Sequence, residues 1–316
     1  MKLINGSYRR FYVTAMLLLS AHGYCWNALG HQLVGQIAYD NLSGHAREVF
    51  SRLNHKMDTV YKPQSLVEAA AWMDTLSYKN ERWLQYMHYI DIPYSVDGSR
   101  LMEPDKKNAV SAIKKAKEVL LSKDENAFNK AFSLRILLHV TGDIHQPMHA
   151  VSQFSTVYPA GDLGGNLFPL AKNTIGKNLH AYWDKGGGLL TGSHRYSSRQ
   201  IRSKALRIEK RFPCEASYQT QDPLKWSQES YRIAVTKAYA IKKGSKPGEK
   251  YQRMVKKISE QRIAMAGCRL AFLLNDLAGN RKVAVNIHTL SSTKACCVKI
   301  PANAPCRFHR PGSFSD

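Results

Sequence analysis

Leu137-Leu138-His139-Val140-Thr141-Gly142-Asp143-Ile144-His145-Gln146-Pro147-Met148-His149 is the stretch on which the reading of this chain turns. It sets His139, Asp143, His145 and His149 into an otherwise apolar helical pattern. At about 100° per residue, His139 and Asp143 lie about 40° apart on one helix face. His149 falls roughly 80° to the other side of His139, and His145 about 160° from Asp143. On an ideal helix the spacing therefore nominates His139, Asp143 and His149 as ligands and turns His145 away, with Pro147 able to bend that geometry. A helix with so many polar groups on an apolar background needs partners for them when buried. Metal coordination supplies partners, and a mixed imidazole and carboxylate set suits zinc, whereas magnesium and calcium prefer oxygen shells.

The helical stepping extends outward in both directions. Leu33, Ile37, Ala38 and Leu42, then Val49, Phe50 and Leu53, recur at three- and four-residue steps. So do the apolar positions of Val110–Leu121, Phe128–Val140, Leu224–Ile241 and Met254–Leu277, while period-two alternation is scarce. The expectation is an all-α fold: a single, mainly helical domain over residues 26–280, with no internal repeat and no dividing linker. Two long loops interrupt it, Asp91–Asp105 and Tyr158–Lys177, the second rich in glycine and with room for a short β-hairpin. From Arg281 the periodicity stops, and residues 281–316 form a basic tail with three cysteines.

The first 25 residues have the layout of a secretory signal peptide. Lys2, Arg9 and Arg10 precede an apolar run from Phe11 to Ala21, and the small residues Gly23 and Cys25 lead to a cut before Trp26. The run is short of the ~20 residues that a spanning helix needs. The expected product is exported, to the periplasm or the medium. Five cysteines remain after that cut, none in a C-x-x-C pair, and Cys214 with Cys268 is the expected disulfide. The chain carries 46 Lys+Arg against 24 Asp+Glu, a net +22, of which the leader contributes three bases and no acid. The +19 that remains suits a polyanionic partner and equally suits a solvated basic surface.

Further imidazole and carboxylate groups complete the pattern. His180 and Asp184 repeat the four-residue step; His88 precedes Asp91 by three; Asp74 follows Trp72; His31 lies five residues beyond Trp26. Each has an ordinary alternative. A lone histidine on an apolar helix is commonly a satisfied core residue, an exposed i,i+4 pair contributes only ~0.2–0.5 kcal/mol, and Asp74 or Asp91 could cap a turn.

In this order the strings Trp26-Asn27-Ala28-Leu29-Gly30-His31, Trp72-Met73-Asp74, His88-Tyr89-Ile90-Asp91, His139 to His149, Gly164-Gly165-Asn166 and Asn178-Leu179-His180-Ala181-Tyr182-Trp183-Asp184 resemble the zinc-dependent single-strand-specific nucleases of the S-one/P-one family. That family shares an all-α fold with zinc-dependent phospholipase C. The resemblance runs from Trp26 to about Asn280 and implies three zinc ions. Asp74, His88, His139 and Asp143 match the ligands of the first, and His149, His180 and Asp184 those of the second. The third would take the terminal amine and carbonyl of Trp26 with His31, sharing Asp143, while His145 matches a position that is not a ligand. The resemblance further implies an active-site role for Asp91, a base-stacking ring at Tyr89, and Asn166 near the scissile phosphate. The substrates implied are single-stranded DNA and RNA and nucleotides, the products 5′-phosphorylated, and the chain is expected to be a monomer. Two departures concern phosphate contacts: Ser77, with Lys79 beyond it, stands where relatives often carry Arg, and Tyr94 stands where some carry Lys. A phospholipase C remains an alternative, although that branch typically has Glu where this chain has Asp184. A non-catalytic, zinc-containing nucleic-acid-binding protein is a second.

Overall fold

The computed structural model describes residues 26–77, 82–192 and 196–279. The expected leader, Lys79, the basic tail and Cys296, Cys297 and Cys306 lie outside these residues. The described chain is mainly helical. In order its helices are α1 (Ala28–Asp40), α2 (Gly44–Asn54), α3 (Leu66–Ala69), α4 (Trp72–Ser77), α5 (Ala109–Leu121), α6 (Ala127–Asp143), α7 (Leu179–Asp184), α8 (Ser198–Arg211), α9 (Pro223–Ile233) and α10 (Glu249–Gly279). Short polar side chains start many of them. Asn27, Ser43, Asn108, Asn126 and Asn178 each accept a hydrogen bond from a backbone N–H of the first turn of α1, α2, α5, α6 and α7.

Helix α6 is the axis of the fold. Every residue from Lys130 to Asp143 is buried, as expected of a helix that is covered on all sides. Helix α5 packs along it, and α1 lies across α10. That crossing is close: a Cβ on Gly267 of α10 would stand 2.6 Å from the Ile37 side chain of α1. A second, smaller apolar cluster, including Met148, Leu179, Trp183 and Val255, supports the loop and α7 on the other side of the site. Cys214, just past α8, is disulfide-bonded to Cys268 of α10, as the sequence led one to expect. No described helix is long and apolar enough to cross a membrane.

The structure corrects several local expectations. Helix α6 stops at Asp143, and a separate 3₁₀ turn over Pro147–Ala150 carries His149. Proline disfavours helical backbone at the residue before it, and Gln146 is extended at ψ 120°. His149 therefore reaches the site from a turn and not from a continuous helix. The sheet is a parallel pair, Pro93–Ser95 with Ser152–Phe154, and not a hairpin; within the second long loop only an isolated antiparallel bridge joins Pro169 to Asn178. The stretch Leu224–Ile241 is helical to Ile233 and then widens into a π-type turn over Ala234–Ala238. Helix α8 was not anticipated, because only Ile201, Ala205 and Ile208 of its fourteen residues are buried.

Candidate metal centre

The end of α6, the 3₁₀ turn after it, α4, α1 and α7 converge on one buried point. The Asp143 carboxylate is wholly buried and faces two ways. Its Oδ2 lies 3.0 Å from His88 Nδ1 and 3.2 Å from His139 Nε2, while Oδ1 lies 3.3 Å from His31 Nε2 and 3.6 Å from His149 Nδ1. Asp74 Oδ1, from α4, is 3.4 Å from His139 Nε2. On the far side, Asp184 stands 3.6 Å from His149 Nε2 and 3.5 Å from His180 Nε2. Three sets of ligand-type atoms result, each within 4.8 Å: His31, Asp74 and His139; His88, His139 and Asp143; and His149, His180 and Asp184.

The donor chemistry fits a metal. Buried His31 Nδ1 and Nε2, Asp143 Oδ1, His149 Nε2, His180 Nε2 and Asp184 Oδ2 make no hydrogen bond, a costly condition unless something else satisfies them. The outer shell is set for coordination as well. The Nδ1 atoms of His139, His149 and His180 each lie 2.8 Å from a carbonyl oxygen, of Ala70, His88 and Gly164 respectively. Donation from Nδ1–H leaves the Nε2 lone pair pointing inward, the usual arrangement behind a metal-ligating imidazole. Gln146 Nε2 donates to Asp184 Oδ1 at 2.6 Å while its Oε1 accepts from Met148 N at 2.6 Å, so one amide fixes both the carboxylate and the turn.

Charge sharing follows from this packing. Burial alone would favour neutral imidazole at His139, yet Asp143 and Asp74 overcome it and hold the ring protonated up to about 10. Burial likewise opposes ionisation of Asp74, but His139 and its neighbours hold that carboxyl down at about 2. His149, against the same burial, is raised to about 9 by Asp184 and Asp143. Burial lowers His31 and His180. A cation entering such a site displaces protons, so its affinity falls as pH falls.

The Trp26 ring is fully buried, and its Nε1 donates to the Gly142 carbonyl at 3.0 Å. Asn27 N donates to the Asp184 carbonyl at 3.4 Å. The first described residues are thus held against the backbone of Gly142, next to Asp143, and of Asp184. Glycine is required at 142, because a Cβ there would lie 2.9 Å from His31 Nδ1.

His145 turns away from this cluster. It is buried with both ring nitrogens engaged: Nδ1 faces Thr141 O at 2.7 Å, and Nε2 accepts from Arg269 Nη1 at 2.9 Å. Burial, with Arg262 and Arg269 nearby, holds its pKa well below the ordinary value. Glu229 pairs with both arginines, and Arg262 Nε donates to the His145 carbonyl. His145→Ala is expected to keep its metal yet to lose about 1–3 kcal/mol of stability, because buried Arg269 loses an acceptor. Metal content beside a denaturant melt checks this. Loss of metal equal to that of His149→Ala would contradict it.

Tyr89 and Asp91 follow His88 in a segment held by Ile90 N donating to His149 O at 2.8 Å, and both are half-buried. Burial pushes the Tyr89 hydroxyl up to about 12. Burial and the nearby Asp162 raise Asp91 to about 7, partly offset by His149. Folded Asp91 therefore binds its proton more tightly than in the unfolded chain, so its contribution to stability declines as pH rises from about 4 to 7. Asp91→Asn is expected to raise the Tm of the metal-free protein at pH 8 and to leave it nearly unchanged at pH 4. The gain is on the order of 1–3 kcal/mol, less than the full shift implies because the group is partly solvated. Equal effects at the two pH values would contradict the assignment.

Asn166 lies in a tightly specified loop. Its Nδ2 donates to Leu163 O at 2.9 Å, and its own carbonyl accepts from Asn178 at 3.0 Å. Gly164 and Gly165 have φ of 61° and 79°, and a Cβ on Gly164 would come within 2.4 Å of Met148 O. Asp162, absent from the sequence expectations, anchors the loop: its Oδ1 accepts from Gln153 N and Gly165 N, and its Oδ2 from Tyr239 OH. Tyr94 lies against Tyr231 and Tyr239 and receives a hydrogen bond from Gln153.

Comparison with known proteins agrees with this geometry. Endonuclease 4 of Arabidopsis thaliana is 25% identical over 305 residues, which cover 88% of this chain and 98% of the relative. Nuclease P1 of Penicillium citrinum is 24% identical over 284 residues, 81% of this chain and 98% of the relative. Nuclease S1 of Aspergillus oryzae is 27% identical over 176 residues, 54% of this chain and 57% of the relative. The family model described as S1/P1 Nuclease matches residues 26–279, a span that includes every side chain of the cluster, and the chain belongs to the S1/P1 nuclease family.

Proposed function

We propose that this chain is an exported, zinc-dependent nuclease that hydrolyses single-stranded DNA and RNA to 5′-phosphorylated products, with 3′-nucleotidase activity at the same centre. The observation that carries the reading is the two-faced, wholly buried Asp143 carboxylate between imidazole sets, with its own Oδ1 and the Nε2 atoms of His31, His149 and His180 making no hydrogen bond. Asp74, His88, His139 and Asp143 would hold one zinc ion, and His149, His180 and Asp184 a second. The amine and carbonyl of Trp26, with His31 and Asp143, would hold a third. Zinc at such a centre lowers the pKa of bound water from 15.7 to roughly 7 and offsets charge that develops on a phosphodiester.

The protein's own groups do the rest. Asp91, a half-buried carboxylate three residues beyond His88, would orient the attacking water and accept hydrogen bonds at the site. Tyr89 offers a ring for stacking, which requires an unpaired base and so favours single strands. Asn166 holds the glycine loop that approaches the phosphate. The basic surface concentrates polyanions. Tyr89→Ala is expected to weaken single-strand binding by about 1–3 kcal/mol; unchanged affinity would return the ring to a packing role.

Asp184 and the net charge favour this reading over a phospholipase C, and the open coordination-type atoms favour it over a non-catalytic binder. Purified protein, with and without EDTA, tested on single-stranded DNA, RNA and phosphatidylcholine separates the three. Chelator-sensitive cleavage of the nucleic acids alone is expected. Release of phosphocholine, or no hydrolysis at all, would overturn the proposal.

A further inference from the structure

Helix α9 ends at Ile233 in the π-type turn Ala234–Ala238, which Tyr239 closes by donating from its backbone N to Ala234 O at 3.1 Å, a five-residue step. The extra residue in such a turn rotates everything after it by about 100° relative to a regular α-helix. The turn carries none of the candidate ligands. It packs in the smaller apolar cluster, where Ala234 and Ala238 are buried with Met148, Leu179 and Trp183. Those three residues immediately precede His149, His180 and Asp184 in sequence.

Two hydrogen-bonded strings lead from the turn to that ligand set. In the first, Tyr239 OH donates to Asp162 Oδ2 at 2.7 Å, while Asp162 Oδ1 accepts from Gly165 N at 3.1 Å and Gln153 N at 3.0 Å. The Gly165 N–H belongs to the same peptide unit as the Gly164 carbonyl, and Gly164 O lies 2.8 Å from His180 Nδ1. A trans peptide is planar with its N–H and C=O on opposite edges, so fixing one fixes the other. The approach is close: a Cβ on Gly164 would stand 3.2 Å from His180 Nδ1. In the second string, Tyr251 OH donates to Ala238 O at 2.5 Å and accepts from Trp183 Nε1 at 3.0 Å, one residue before Asp184.

We propose that Asp162 and Tyr239 are positioning residues for the zinc ion of the His149, His180 and Asp184 set, acting through the Gly164–Gly165 peptide on the tautomer and orientation of His180. A carbonyl that holds Nδ1–H leaves the Nε2 lone pair toward Asp184, 3.5 Å away. The π-type turn brings the Tyr239 hydroxyl to the carboxylate that clamps this peptide. The inference rests on the metal-centre assignment of the proposed function and adds to it two residues that touch no metal.

The test is zinc retention, read by competition with a chelating zinc indicator, in the zinc-loaded protein and in Asp162→Ala, Asp162→Asn and Tyr239→Phe. Alanine strips the Gly165 and Gln153 N–H groups of their acceptor. Asparagine restores Oδ1, and its amide can donate to the Tyr239 oxygen. Phenylalanine keeps the ring against Phe168, 5.6 Å between centroids, and removes only the hydroxyl. One zinc equivalent is expected to bind about 10–100-fold more weakly in Asp162→Ala, the range for losing an outer partner of a ligating histidine, with the remaining zinc held as before. Asp162→Asn should recover most of that loss, and Tyr239→Phe should show a few-fold loss at the same equivalent. Melts of the metal-free proteins report the fold separately. A lower Tm with unchanged zinc affinity in all three variants would assign the pair to packing and overturn the inference, as would an Asn variant that loses as much zinc as the Ala one. Should Asp162→Ala not fold, Tyr239→Phe decides, and unchanged zinc affinity there overturns the inference. Zinc binding by the unaltered protein without hydrolysis of single-stranded DNA would count against the nuclease reading alone, because the affinities are read independently of cleavage.

Discussion

Asp143→Asn is expected to lose more than one equivalent of metal and at least about 10³-fold in kcat/KM, roughly 4 kcal/mol of transition-state stabilisation. Asp143 faces imidazoles with both of its oxygens. Oδ2 serves His88 and His139 at 3.0 and 3.2 Å, and Oδ1 serves His31 at 3.3 Å. The amide replaces one oxygen with a donor, which cannot ligate a cation and points a hydrogen at an imidazole. Asp184→Asn provides the control, because His149 and His180 are the imidazoles it faces, and it should cost about one equivalent. Elemental analysis of both variants reads the difference. Equal metal loss in the two would contradict a bridging role for Asp143.

A single extra residue before Trp26 is expected to remove about one zinc equivalent and to slow hydrolysis at least about 10²-fold while the fold persists. The argument starts from where residues 26 and 27 are held. The Trp26 indole is tied to Gly142 O, Asn27 N to Asp184 O and Asn27 Nδ2 to Leu190 O at 2.7 Å, and a Cβ on Gly30 would lie 2.9 Å from Trp26 Cβ. Two of these anchors are backbone carbonyls at or next to candidate ligands, that of Asp184 and that of Gly142 beside Asp143. A free amine at Trp26 offers a lone pair there, and extension converts it to an amide whose lone pair is delocalised into the peptide bond. Two preparations, one starting at Trp26 and one with an added residue, settle the matter by zinc content and rate. Identical values would exclude the terminal amine as a ligand.

Much of this site was legible because helical spacing and ligand chemistry are local. His139 with Asp143, and His180 with Asp184, are four-residue steps that stay on one face of α6 and α7. The outward turn of His145 followed from the same arithmetic, although the arithmetic assumed a helix that in fact ends at Asp143. The His149 position depends on the break at Pro147, which a wheel does not contain.

Other parts depend on contacts remote in sequence. Asp162 looks like one more loop acid until Gln153, Gly165 and Tyr239 close around it. Arg262, Arg269 and Glu229 carry no spacing signal that ties them to His145, yet the two buried arginines, paired with Glu229, support its carbonyl and ring. Helix α8 escaped because its apolar stripe is too narrow to produce a clear period beside so many bases. The parallel pairing of Pro93–Ser95 with Ser152–Phe154 joins segments nearly sixty residues apart, each too short to announce a strand.

The central claim is that the His and Asp cluster holds the zinc that drives phosphodiester hydrolysis. Its most direct test is a zinc back-titration of EDTA-stripped protein beginning at Trp26, assayed on a single-stranded oligonucleotide with analysis of product ends. The account expects no cleavage at zero zinc, activity that saturates near three equivalents, and fragments ending in 5′-phosphate and 3′-hydroxyl. Full activity without zinc, or products carrying 3′-phosphate, would contradict it.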